Sequence, residues 1–169
     1  MSEQPFSLDA LYLAIEQHIQ QHVPGVEMVS FWPNIDHHIP RPAVFLDIAE
    51  IEPGTDLGTG QTTLTITFEA RVIVDVIRAD HYPQAVHLAT QLAVLLRAQS
   101  WGLAVEPAMF QRSSQDWTRP DLDGYTVWLV EWTQVIYLGE QQWPWPDEPP
   151  GTLLISVNGE DPIAPEDLA

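Results

Sequence analysis

Leu8, Leu11, Tyr12, Ile15 and Ile19 recur at helical spacing, while Glu16, Gln17, Gln20 and Gln21 fall on the opposite face. Ser7 stands where its hydroxyl can accept a hydrogen bond from a free first-turn N–H, and Pro24-Gly25 stops the run. The pattern predicts an amphipathic helix of about four turns that packs one stripe on a core. Val26 to Phe31 reads as a short strand. The segment from Trp32 to Pro42 carries three prolines, which block both helix and central strand. Ala43 to Ile51 is nearly continuous apolar sequence with β character, hence a well-buried strand. Glu52 to Gly60 is turn chemistry.

The clearest signal lies between Gln61 and Ile77. Leu64, Ile66, Phe68, Ala70, Val72, Val74 and Val76 share one parity. Thr63, Thr65, Thr67, Glu69, Arg71 and Asp75 share the other, which is broken only by Ile73. Period-two alternation over this length predicts one strand with an apolar and a polar face, near 50 Å long at about 3.3 Å per residue. Such a strand must bend at a bulge or leave the body as a hairpin arm. Asp80 is placed to cap a second helix that runs to about Ser100, with Pro83 tolerated in its first turn and Gly102 as the stop. Its expected stripe is Val86, Ala89, Ala93 and Leu96, widened by Ala85, Leu88, Leu92 and Leu95. Leu103 to Ser114 reads as a weaker strand interrupted at Pro107, and so as a sheet edge. A turn-rich stretch from Asp116 to Gly124 leads into a last strand, Tyr125 to Leu138. The order α-β-β-β-α-β-β predicts an α+β fold. Its mixed or antiparallel sheet has about five strands, two helices on one face, and the long strand as a hairpin arm.

The character changes at Trp143. The last 27 residues hold six acids, six prolines and no basic residue, so the chain divides into a domain over 1–142 and an acidic Trp/Pro-rich extension over 143–169. The whole chain carries six Arg, no Lys and 24 Asp plus Glu, a formal charge of −18. Phosphate backbones are bound by clustered Lys and Arg, and these arginines are scattered singly, so ordinary nucleic-acid binding is not expected. The chain has no cysteine, which removes disulfides and thiolate chemistry. No apolar run approaches a membrane span. Met1-Ser2-Glu3-Gln4-Pro5 lacks a basic start and apolar run, so a cytoplasmic protein is expected.

Reactive constellations are scarce. The chain contains no P-loop, no dinucleotide-binding glycine motif, no HExxH and no GxSxG. Asp36-His37-His38 groups metal-ligand residue types but lacks a predictable third or fourth ligand. His18 and His22, at i and i+4, share a helix face with no completing carboxylate. Glu50 with Glu52, and Asp121 with Asp123, fall short of a calcium loop, and Ser113-Ser114 has no local base. No catalytic, cofactor or metal residue is assigned, and the chain is read as a non-enzyme. Of the seven tryptophans, Trp101, Trp128 and Trp132 fit a core, whereas Trp32, Trp117, Trp143 and Trp145 sit in loops or the extension. Aromatic residues in such places are enriched at protein interfaces.

The order of elements is similar to that of a known family. A helix ends at Val23-Pro24-Gly25-Val26, and a Pro-rich loop enters Pro42-Ala43-Val44-Phe45-Leu46. The turn Leu57-Gly58-Thr59-Gly60-Gln61 leads into the long strand, a leucine-rich helix follows, and Gly124-Tyr125 opens the last strand after a Trp/Arg/Asp-rich loop. Over residues 8–138 this resembles the tail terminator (tail completion) proteins of contractile-tailed phages and prophages. The acidic extension departs from the short members of that family. The resemblance implies a hexameric ring that caps the tail tube, meets sheath and head-neck proteins, and passes DNA through an acidic lumen without specific binding. It implies a virion location after assembly in the host cytoplasm, with no cofactor and no membrane. The candidate interface with copies or partners comprises Trp32, Leu57, Gln61, Trp117, Arg119, Trp143 and Trp145. Two alternatives stay open: another neck, connector or tail component, and a small soluble module binding a metal or ligand at the His37/His38 loop.

Overall fold

The computed structural model describes residues 6–34 and 39–142. Its elements are α1 (Leu8–His22), β1 (Met28–Phe31), β2 (Ala43–Pro53), β3 (Thr62–Asp75), α2 (His81–Leu95), β4 (Met109–Gln115), a 3-10 turn over Pro120–Leu122, and β5 (Tyr125–Leu138). The five strands form one open sheet in the order β1-β2-β3-β5-β4. β1 runs parallel to β2 and every other pairing is antiparallel, so the fold is α+β with a mixed sheet.

Both helices lie on one face. Ser7 caps α1 by accepting from the Ala10 N–H, and Leu11, Ile15 and Ile19 are buried as their spacing requires. The even-numbered residues of β3 and β5 meet these helices. Phe68 stacks on its cross-strand partner Trp132 at 5.2 Å between ring centroids, and both are fully buried. β2 and β3 form the expected hairpin. β5 accompanies β3 through all 14 of its residues, so the hairpin end is a three-stranded corner.

Five expectations need correction. Asp80 precedes α2 without a side-chain capping bond, and α2 ends at Leu95 rather than near Ser100. Ala98, with φ 55°, already turns the chain three residues later. Val86 points to solvent, because the buried row is Ala85, Leu88, Ala89, Leu92 and Leu96. The strand expected from Leu103 starts only at Met109. The segment before it lays Leu103, Val105 and Ala108 on the main core as irregular chain. β2 is buried on both faces only over Ala43–Leu46, and from Ala49 onward it is exposed.

The odd-numbered face of β3 is less polar than alternation suggests. Residues 116–123 cross it as a strap, and Leu122 packs with Ala43, Phe45, Ile73 and Val127 into a second, smaller core. That cover explains why Ile73 breaks the polar parity.

Candidate interaction surface

The uncovered part of the odd face carries a row of acids. Asp47 on β2 stands opposite Glu69 on β3, Glu69 opposite Glu131 on β5, and Glu131 opposite Arg112 on β4. Like charges directly opposite on a sheet repel, and arginines are interleaved to offset this. Arg71, itself buried, reaches Glu69 Oε2 at 2.6 Å and Asp116 Oδ2 at 2.7 Å. Arg112 meets Glu131 at 3.2 Å, and Arg119 meets Asp47 at 3.6 Å and Asp121 at 2.8 Å. Half of the chain's six arginines are spent here.

Asp47, Arg71 and Arg119 of this set line a cleft of about 200 Å³ together with Trp32, Pro33, Phe45, Leu46 and Leu122. The Trp32 indole donates from Nε1 to Asp47 Oδ1 at 2.8 Å and meets Tyr12 of α1 edge-on at 5.1 Å. Burial alone would push the Asp116 carboxyl up. Hydrogen bonds from the Thr118 hydroxyl and N–H, with Arg71 beside it, outweigh burial and hold it below the usual carboxylate range. The bond from Arg119 likewise holds Asp121 down, and the same pairing pushes the Arg119 guanidinium up. Each charged group in the cleft is thus consumed by a partner. The arrangement braces the strap against the sheet.

The candidate interface residues fall into two places. Trp32 and Arg119 line the cleft together and Trp117 lies on the strap, with Trp32 more than half exposed and Trp117 75% exposed. Leu57 sits at the β2–β3 loop, also more than half exposed, and lines an open groove with Pro53, Thr63, Glu106 and Tyr137. Gln61 is in the same loop, but its side-chain amide donates to the Gly139 carbonyl, so it braces the loop from within. Trp143 and Trp145 lie outside the described residues, as do Asp36, His37 and His38.

Among the described residues, no three His, Asp or Glu side chains gather as metal ligands. His18 and His22 stack at 4.1 Å, and Gln99 donates to Nε2 of His18. Burial, with a smaller contribution from neighbouring His22, holds the His18 imidazole below its ordinary pKa. No described helix is long and apolar enough to cross a membrane.

The sequence reading missed residues at the sheet edges. Ile51 on β2 is 53% exposed, Phe110 on β4 is 46% exposed, and Met109 beside it is exposed as well. Pro107 was a usable signal for the β4 edge, but nothing in the apolar run of β2 marked where its cover stops.

No protein-family model matches the chain, and no curated protein matches it. Among solved structures, one that carries no functional name aligns over 81% of this chain and 99% of its own, at 16% identity and a TM-score of 0.48. A second is the sheath/tube terminator of an extracellular contractile injection system, PVC, in its extended state, determined by cryo-electron microscopy. It aligns over 94% of this chain and 65% of its own, at 10% identity and a TM-score of 0.42.

Proposed function

We propose that the chain is a structural subunit of a contractile phage-tail-like particle and acts as its tail terminator. Copies join in a ring, hexameric as in the family its element order resembles. The ring caps tube and sheath, meets the head-neck, and passes DNA through an acidic lumen. It works in the virion after assembly in the host cytoplasm, as a non-enzyme without a cofactor. One observation carries the reading. Large apolar side chains are exposed at two separate ends of the sheet, Trp32 and Trp117 at the strap and Ile51 and Leu57 at the hairpin. The charged groups of the cleft between sheet and strap are meanwhile spent on each other.

Ring closure by head-to-tail contacts needs two different faces per subunit, and two unlike apolar ends supply them. The charge of −18 suits a lumen that repels phosphate and lets DNA slide. Micrographs of the purified chain, alone and mixed with tail tubes, test the proposal. Rings of about six copies, free or seated on tube ends, are expected from closed cyclic symmetry. A chain that stays monomeric at high concentration and leaves tube ends bare overturns it.

A further inference from the structure

The two edges of the sheet are unlike. β4 forms one edge over its whole length, and six of its seven residues are exposed. At the other edge β1 pairs with only Ala43–Leu46 of β2, which leaves Asp47–Pro53 without a neighbouring strand among the described residues. Asp47 is tied to Trp32 and Arg119, and its carboxylate takes the Ile48 N–H. The open stretch of β2 therefore begins at Ala49. A free edge presents a row of backbone donors and acceptors that templates another strand.

We infer that β4 of one copy pairs, antiparallel, with the open stretch of β2 of the next copy, placing Arg112 against Glu50 and Phe110 against Ile51. This rests on the reading that copies of the chain associate head to tail.

Strand direction comes first. β5 runs with β2, and β4 runs against β5. A neighbour related by rotation about an axis along the strands keeps these directions, so its β2 meets β4 antiparallel. Register comes second. On β4 a bulge at Gln111 makes Phe110 and Arg112 consecutive on the ladder, opposite Trp132 and Glu131. Glu50 and Ile51 are consecutive on theirs, opposite Thr67 and Ile66. Phe110 and Ile51 both belong to the helix-bearing face, Arg112 and Glu50 to the other. One antiparallel register therefore joins apolar to apolar and cation to anion, without twisting either strand over.

Charge then selects between pairings. Two β4 edges paired about their centre would set Arg112 against Arg112, and two β2 edges would set Glu50 and Glu52 against acids. Like charges directly opposite destabilise a sheet and opposite charges support it, so each edge is discouraged from pairing with itself and fits the other. The Arg112 side chain is 64% exposed, with Glu131 as its partner within the chain, and remains open to a second carboxylate.

The test uses the full chain, which has no cysteine of its own. Phe110→Cys with Ile51→Cys should give, on oxidation, a ladder of disulfide-linked oligomers beyond the dimer. Within one chain the two positions are three strand spacings apart, about 14 Å, too far for an internal disulfide. Arg112→Glu should weaken association at least about tenfold, the scale of one charge pair across an interface. Adding Glu50→Arg should restore it, and thermal unfolding of each variant verifies folding. Native oligomers that give no ladder and ignore the charge reversal overturn the edge pairing and leave the assembly reading intact. A dimer formed by Phe110→Cys alone overturns it in favour of a two-fold contact. A disulfide between Phe110→Cys and Leu154→Cys overturns it in favour of the C-terminal segment as occupant. A wild-type chain that is monomeric at every concentration, gives no ladder and leaves tube ends bare removes both readings.

Discussion

Arg71 shows how much of this protein's order rests on single charges. It lies on the face that alternation marks as polar, yet it is buried and holds Glu69 and Asp116 together. Removing one member of a buried ion pair strands the other. Arg71→Met should therefore cost about 3–5 kcal/mol in urea unfolding, and Asp116→Asn added to it should recover part of the loss. If the double variant is no better than the single, burial rather than charge is what Arg71 supplies. Phe68→Ala belongs to a different mechanism. It empties a fully buried ring site stacked on Trp132, and a large-to-small change there costs about 3–5 kcal/mol with no dependence on salt. His18 gives a third signature. Its folded pKa lies below the ordinary 6.5, so the unfolded chain binds the extra proton more readily. Its stability contribution is complete well above pH 6.5 and is lost as the pH falls through that value. Denaturation midpoints at pH 7.5 and 5.5 should differ in that direction, and His18→Gln should narrow the difference. An equal difference in the variant would assign the effect to other groups.

Legibility differs among the elements for one physical reason: period reports a face only where cover is regular. α1 and the even face of β3 through Val74 were readable because one helix layer covers them, whereas Val76 falls past the end of β3 and is exposed. The odd face was not. The strap that buries Ile73 and Phe45 is irregular chain and leaves no period of its own. β2 misled for the opposite reason, since its apolar run continues to Ile51 after its neighbour β1 has ended. The exposure of Trp32 and Trp117 was legible from residue type and loop position, and that of the edge residues Ile51 and Phe110 was not. An edge is a property of sheet order, which single-strand periodicity does not encode. The β2–β3 loop carries a prediction at this scale. Gly60 has φ 81°, and a Cβ there would stand 2.7 Å from Cβ of Gln142, whose N–H donates to the Thr59 carbonyl. Gly60→Ala should cost about 1–3 kcal/mol through left-handed backbone strain. It should also speed protease cleavage near Gln142, as that tether is pushed away. Unchanged cleavage would mean that the loop absorbs the methyl group without releasing the chain end.

At the scale of the whole molecule, charge and contact pull the extension in opposite directions. Residues 143–169 carry six acids and no base, so removing them takes the formal charge from −18 to −12. Less like charge per copy means less repulsion when copies meet, and by that effect alone a chain cut after Gln142 should associate more strongly. The domain itself should survive the cut. β5 ends at Leu138, and the last described tether is the bond from Gln142 to Thr59, so the unfolding midpoint should barely move. Yet the removed segment holds Trp143, Trp145 and the run Leu153-Leu154-Ile155-Ser156-Val157. Apolar sequence of that kind marks an interaction site wherever it is left exposed. If the extension grips a neighbouring copy or the tube, truncation should weaken assembly despite the lower charge. Association measured at low and moderate salt separates the two. The screening length falls to about 10 Å at 0.1 M, so a purely repulsive tail loses its influence as salt rises. A gripping tail keeps its advantage. We expect the truncated chain to assemble less well at both salts. Stronger assembly at low salt that converges at moderate salt would reduce the extension to a charge barrier.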